Sequence, residues 1–325
     1  MSTAEPDQRA DLRQRDAWRL IDLSLGDGPW NMAADEAVLE AVAAGRAPVT
    51  LRFYGWSEPA VSLGVTQPAA DLDLAACARA GLTVVRRASG GTAVGHDASL
   101  GYSLCLPAGH SLAPLDVVQS YRELGPPVLA ALCRLGLGES SGVRLARPTE
   151  AHPGGPRLTQ PTEAHRGGRP TGLGASACFA TLAPYEAIVD SPPPLDGPPR
   201  KIVGNAQLRR RGAVLHHGMV HLRFDAAGFA ALLTEARPPV AEPVAGRPDP
   251  LATHLAARII GLDEILGRSA DLEEVTAALV AGFGELARGS GVSGLAAGEL
   301  TPAERADARR LVESKYGSPA WTFRR

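Results

Sequence analysis

Apolar positions change their period several times along the chain, and each change marks an element. Residues 18–25 read as a strand, and Gly26-Asp27-Gly28-Pro29 then supplies turn chemistry. Asn31 suits the N-cap of a helix running to about Ala44, with Asp35 and Glu36 in its first turns, where the helix dipole favours them. Val49, Leu51 and Phe53 alternate with Thr50, Arg52 and Tyr54, the pattern of a strand with one buried face, and Val61, Leu63 and Val65 repeat it. Asp73 can cap a short helix that stops at Gly81. Strands are expected over 82–87 and 100–106, with a loop between them. The helical stretch from about 115 to 135 contains Pro126-Pro127, which should kink or split it by removing a backbone donor and crowding the preceding turn. Residues 201–209, 213–217 and 219–224 read as strands, the first two joined at Arg211-Gly212. Beyond about residue 235 the period is helical. Asp271 and Glu274 have capping-box spacing, and Thr301, Pro302 and Glu304 fit N-cap, N1 and N3 of a last helix.

This order predicts an α+β fold, with mixed or antiparallel sheets flanked by helices and a small helical C-terminal segment over 236–325. Residues 1–17 read as a disordered tail and 18–235 as the main body. Within that body, 147–174 differ in composition: Pro148-Thr149-Glu150-Ala151-His152 recurs as Pro161-Thr162-Glu163-Ala164-His165. A short duplication in a flexible insertion explains this better than a folded unit. Nothing rigid holds its histidines together, so no metal site is expected there. Residues 191–199 form a proline-rich loop.

Composition narrows the function classes. A 45% hydrophobic fraction in 325 residues permits a sizeable core. The net charge of -2 offers no sequence-independent attraction to nucleic acid or anionic lipid. No run approaches the roughly 18 apolar residues of a membrane span. The polar N-terminus lacks an apolar signal core, so a cytoplasmic location is expected. The four cysteines show no CxxC spacing. Cys77, Cys105 and Cys133 sit in apolar patterns, as small buried hydrophobes do, whereas Cys178 follows the stretch Gly174-Ala175-Ser176-Ala177 and precedes Phe179.

Three segments could carry chemistry. In Arg86-Arg87-Ala88-Ser89-Gly90-Gly91-Thr92-Ala93-Val94-Gly95-His96-Asp97, paired arginines end a strand and a glycine pair lets backbone approach a ligand; a plain turn with solvated arginines satisfies the same spacing. No Gly-Lys-Ser/Thr follows, so this is not a P-loop. In Lys201-Ile202-Val203-Gly204-Asn205-Ala206-Gln207, a lysine opens a strand and Gly204 within it suggests close approach by another group, although such a lysine is ordinarily a solvated charge. In His216-His217-Gly218, adjacent strand residues point to opposite faces, which works against chelation of one ion.

Together and in this order, these segments resemble the biotin/lipoate protein ligase superfamily. Gly28-Pro29-Trp30-Asn31-Met32-Ala33-Ala34-Asp35-Glu36 is similar to its first helix, and Arg52 to Trp56 through Ser62 to Gln67 to the hairpin that follows. The Arg86–Asp97 run is the most specific match; Lys201, Gly204-Asn205-Ala206 and His217-Gly218 complete it. The resemblance covers roughly 18–235, which it makes the catalytic domain. Cys178-Phe179 stands where ligases of the superfamily carry an adenylate-covering loop, and is similar to the cysteine-dependent octanoyl-[acyl-carrier-protein]:protein N-octanoyltransferases. The resemblance implies an acyltransferase of lipoate biosynthesis. An octanoyl group would pass from octanoyl-acyl carrier protein through a Cys178 thioester to a lysine of a lipoyl domain, such as the glycine cleavage H protein. Cys178 and Lys201 would be catalytic. Arg86, Arg87, Ser89, Gly90, Gly91, Ala93, His96, Gly204, Asn205, His217 and Gly218 would bind substrate. No cofactor and no metal are expected; ATP and Mg belong to the alternative of an ATP-dependent lipoate–protein ligase. A lipoyl-domain amidotransferase and a noncatalytic acyl-binding subunit are further alternatives.

Overall fold

A computed structural model describes residues 17–150, 177, 180–190, 197–234 and 249–324. Residues 1–16 of the expected N-terminal tail, most of the duplicated insertion, Cys178, and residues 191–196 of the proline-rich loop lie outside the described residues, whereas Ala17 is described and buried.

In chain order the elements begin with β1 (Trp18–Gly26), α1 (Gly28–Ala43), β2 (Thr50–Trp56), β3 (Ala60–Leu63), α2 (Leu74–Arg79), β4 (Thr83–Arg86), β5 (Val94–His96) and β6 (Ser99–Leu106). Then come α3 (Val117–Arg134), β7 (Val143–Leu145), β8 (Ala187–Val189), β9 (Arg200–Lys201), β10 (Val203–Arg210) and β11 (Ala213–His221). The chain closes with α4 (Ala226–Ala231), α5 (Pro250–Ala256), α6 (Leu262–Leu266), α7 (Leu272–Gly289), β12 (Leu295–Gly298), α8 (Pro302–Leu311) and α9 (Pro319–Thr322). The result is an α+β fold with one large mixed sheet, as expected. Among the described residues, no helix is long and apolar enough to cross a membrane.

The six-stranded sheet has the order β10-β11-β6-β2-β1-β12. It is antiparallel from β10 to β2 and parallel from β2 through β1 to β12. Both of its faces are covered. Leu51 and Phe53 of β2, with Leu100, Tyr102 and Leu104 of β6, pack against Leu124 and Val128 of α3 and Phe283 of α7. The opposite face meets α1, where Ala34, Val38 and Leu39 pack with Ile21, Cys105 and Leu215. Burying each such side chain contributes about 1.5–3 kcal/mol. The alternation in β2 therefore did not mark one solvated face: Thr50, Arg52 and Tyr54 are buried as well. Arg52 is tolerated there because its Nη1 lies 2.7 Å from Asp35 Oδ1 and its Nη2 donates to Asn31 Oδ1 at 2.8 Å.

Several local expectations change in three dimensions. The first helix is capped by Asp27, whose carboxylate accepts from Trp30 N, while Asn31 is wholly buried and donates to Gly26 O and Gly55 O. The expected β2–β3 hairpin does not pair: both edges of β2 are already taken by β1 and β6, so β3 builds a second sheet, β4-β3-β5. The prolines at 126 and 127 lie inside α3 without splitting it. An Asp116–Gln119 capping box and the burial of Leu124, Val128, Ala131 and Leu132 offset the two lost donors. The strands expected over 213–217 and 219–224 are one strand, β11, ending at His221; residue 218 within it is glycine because a Cβ there would overlap the ring of Tyr102, its partner on β6. Lys201 belongs to the short β9, paired with β8 in a third sheet, β7-β8-β9. Arg211 and Gly212, with φ of 50 and 80°, make the β10–β11 turn.

Residues 295–298, inside the segment read as helical, form β12 and extend the large sheet beside β1. Next to it α8 starts with the expected Thr301–Glu304 capping box. Glu304 also takes Arg19 of β1 in a two-pronged pair at 2.9 and 2.6 Å. The C-terminal segment is thus built into the main body.

Candidate active site

A cleft of about 460 Å³, including its open mouth, lies between the large sheet, the β4-β3-β5 sheet and α1. Tyr54, Trp56 and Met32 wall one side; Gly204, Asn205 and Ala206 of β10 and His217 to Met219 of β11 wall another. Ser62, Val94, His96 and Arg87 close it from the small sheet. Its largely apolar lining with a few polar groups is that of a small-ligand site.

The two arginines of the 86–97 run do different things. Arg86 is fully buried and does not line the cleft; its guanidinium donates to Gly64 O (2.6 Å), Gln67 O (2.5 Å) and Thr322 O (2.9 Å), tying the loop to the C-terminus. Burial first, then Arg324 and Arg87, draw its pKa down to about 10, so it keeps its charge at neutral pH. Arg87 does line the cleft. It donates to Ser62 O and back to Gly90 O and Thr92 O, so it holds the turn that follows it in shape. Gly90 and Gly91 are exposed; Gly91 has φ +90°, and its carbonyl sits where a Cβ on Gly64 would be, so the crossing of these loops requires glycine at 64 and 91. Ala93 is buried and its backbone bridges Ala177, the residue before Cys178 in sequence.

The histidines of the site are neutral. His217 Nε2 is 2.6 Å from Ser89 Oγ, and its Nδ1 is 3.9 Å from Asp35 Oδ2. Burial, with Arg87 as a second cause, pushes the His217 pKa down to about 3. His96 stacks on Trp56 with centroids 3.8 Å apart and meets Ser62 Oγ through Nε2 at 2.8 Å. Its pKa is held well below the ordinary 6.5, by burial first and then by His221, Arg87 and His217. Burial also raises the pKa of Asp35, against the pull of Arg52 and Ser103. His216 turns to the other side of β11, edge-on to Tyr121 at 5.5 Å, as strand alternation requires. Among the described residues, no three His, Cys, Asp or Glu side chains are placed to hold a metal ion.

Lys201 is 3% exposed, and its Nζ lies 2.7 Å from Glu186 Oε2. Glu186 accepts in addition from Ala183 N at 2.8 Å and from Asn205 N at 3.3 Å. Asn205 lines the cleft, and its Oδ1 accepts from Tyr102 OH at 2.5 Å. Tyr102 stays protonated for this, its pKa raised by burial first and then by the Glu186 charge. The structure therefore gathers Arg87, His96, Gly204, Asn205, His217 and Gly218 around one cleft, with Ser89 bonded to His217 and Lys201 joined to the cleft wall through Glu186. Arg86, Gly90, Gly91 and Ala93 shape the loops around it. Sequence reasoning missed two carboxylates. Asp35 was placed in the first helix by the dipole and the resemblance, and neither it nor Glu186 was given a role at the site. The signal for Glu186 was its place before the apolar run 187–189, where a buried charge needs a partner.

Residues 27–284 match the lipoyl protein ligase A/B catalytic domain. Octanoyltransferase LipM of Symbiobacterium thermophilum is 36% identical over 309 residues, spanning 95% of this chain and 98% of that protein. Octanoyltransferase LipM of Kyrpidia tusciae is 34% identical over 309 residues, spanning 95% and 99%. Among solved structures, the bipartite lipoate protein ligase from the Thermoplasma acidophilum lipoylation system aligns with a TM-score of 0.64 at 23% identity, over 94% of this chain and 96% of that one. A lipoate-protein ligase A bound with ATP aligns with a TM-score of 0.65 at 21% identity, over 94% and 98%. At such identities the structures speak for the fold alone, whereas the sequence match covers most of the chain. The chain belongs to the lipoyl protein ligase A/B catalytic domain family and is an acyl-transferring enzyme.

Proposed function

We propose that the chain moves an octanoyl group from octanoyl-acyl carrier protein to a lysine of a lipoyl domain in lipoate biosynthesis, through a thioester on Cys178. The observation that carries this reading is Lys201, an ammonium buried at 3% exposure and joined through Glu186 to the wall of an apolar cleft. The full-length similarity to octanoyltransferases named LipM supports it.

An ordinary thiol with a pKa of about 8.5 is only a few per cent thiolate at pH 7, and a nearby cation raises that share. In the first step the Cys178 thiolate attacks the donor thioester carbonyl. A C–S bond to Cys178 forms, the bond to the pantetheine sulfur breaks, and that sulfur leaves as thiolate and takes up a proton. In the second step a neutral lysine amine of the acceptor attacks the new thioester, an amide forms, and Cys178 is released as thiolate while the amine loses a proton to solvent. Lys201 donates a hydrogen bond to the carbonyl oxygen as it gains negative charge in both steps. Thioester exchange is near-isoenergetic and amide formation is downhill, so no ATP and no cofactor enter.

Intact-protein mass spectrometry tests this. Octanoyl-acyl carrier protein without ATP should add one octanoyl mass, removable by hydroxylamine, and a lipoyl domain should then receive it. A requirement for ATP with free octanoate would instead indicate the ligase reaction, and transfer only from an octanoylated lipoyl domain would indicate amidotransfer.

A further inference from the structure

The carboxylate that meets Lys201 is itself held with care. Glu186 is 2% exposed, and an isolated buried carboxylate costs several kcal/mol. Besides the lysine, two backbone N–H groups meet it from different directions: Ala183 from the loop before it, and Asn205 from the strand lining the cleft. Tyr185, just before it, has φ 64°, a left-handed conformation that a residue with a Cβ rarely adopts, and is pinned by its N–H to Ala146 O at 2.9 Å. The lysine backbone is fixed too: its N–H donates to Arg258 O at 2.7 Å and its carbonyl accepts from Ile260 N at 3.1 Å. A lysine stem is flexible, so anchoring its backbone and its ammonium is what turns it into a charge at one place.

We propose that Glu186 is a positioning residue: it fixes the Lys201 ammonium relative to the acyl cleft, and acyl transfer assisted by Lys201 depends on it. The proposal rests on the reading of Cys178 and Lys201 given above. The geometry gives Glu186 a second link, because the N–H it accepts belongs to Asn205, whose side chain is held by Tyr102 from the sheet core. The cleft wall and the lysine are thereby set against the same carboxylate. A donor already in place does not have to be reoriented when charge develops on the carbonyl oxygen.

The test is single-turnover acylation of the full chain by octanoyl-acyl carrier protein, in the parent, Lys201→Ala, Glu186→Gln and the double variant. Glu186→Gln keeps the shape and removes the charge. It should lower the maximal acylation rate by about tenfold or more, while the donor concentration for half-maximal rate stays within about twofold. Added to Lys201→Ala it should cause no further slowing, because its effect runs through the lysine. Glu186→Asp should recover part of the rate. A parental rate in Glu186→Gln, or an equal further slowing on top of Lys201→Ala, overturns the proposal while leaving Lys201 in place. A parental rate in Lys201→Ala overturns the reading of Lys201 and this proposal with it. If thermal unfolding shows that Glu186→Gln does not fold, Glu186→Asp in both Lys201 backgrounds provides the same test of non-additivity.

Discussion

The cleft and the Lys201 corner adjoin one another, yet they handle buried charge in opposite ways. Around His217 and His96, burial has removed charge: both imidazoles are neutral. At the corner, Lys201 and Glu186 are just as inaccessible and sit 2.7 Å apart. The difference lies in the partner. A group that can shed its proton or its charge does so when buried, unless an opposite charge is within bonding distance. Under the proposed reaction, an apolar acyl tail would meet the neutral side, and the reacting carbonyl the fixed ions.

The largest expected effect breaks the charged side. Lys201→Ala should slow acylation by about 10²–10³, the usual loss when one donor to a developing oxyanion is removed. It should also lower stability by about 3–5 kcal/mol, since Glu186 is left buried without its cation. Single-turnover rates and thermal unfolding read both; an unchanged melting temperature would show that the pair is not closed in solution.

Next in size is the wall shared by cleft and core. Gly218→Ala puts a methyl into the Tyr102 ring and should cost about 1–3 kcal/mol, with weaker acyl-donor binding because Tyr102 supports Asn205. Denaturant unfolding and donor titration measure these, and parental values for both would contradict the packing described.

The neutral side can be examined by pH. His216, His217 and His221 have pKa values near 3 in the fold against an ordinary 6.5. Below 6.5 the unfolded chain binds protons that the folded chain does not, so their contribution is complete above 6.5 and lost as pH falls toward 3. Glu36 and Glu304, with lowered pKa values, add to that loss further into acid, and Asp35, with a raised one, opposes it. The melting temperature should drop steadily below pH 6.5; a flat profile down to pH 4 would refute the neutral histidines.

The smallest effect separates the two faces of β11. His216→Phe should leave acylation within about twofold, since His216 packs on Tyr121, away from the cleft. His217→Phe, on the cleft side and bonded to Ser89, should raise the donor concentration needed by about tenfold. Equal responses in steady-state assays would remove the distinction.

Which features could be read from sequence follows from the range of the interactions that make them. Asp73 as the cap of α2 and the Thr301–Glu304 box are local hydrogen bonds written in adjacent residues, and both are present. The α+β class followed from period alone. The parallel pairing of β12 with β1 joins residues nearly the whole chain apart, and 295–298 carry no alternation to announce it. Gly218 looked like a strand break because only the Tyr102 ring, on another strand, explains it. Arg86 and Arg87 are adjacent and identical in type, and only the fold sends one to the C-terminus and the other to the cleft. Lys201 was singled out by its motif, whereas Glu186 is brought to it by the pairing of β8 with β9.

The most direct measurement is the intact mass of the chain after incubation with octanoyl-acyl carrier protein in the absence of ATP. The account predicts one added octanoyl group, lost on hydroxylamine treatment and absent from Cys178→Ser. A labile adduct that still forms on Cys178→Ser, or no adduct on the parent unless ATP is supplied, would contradict it.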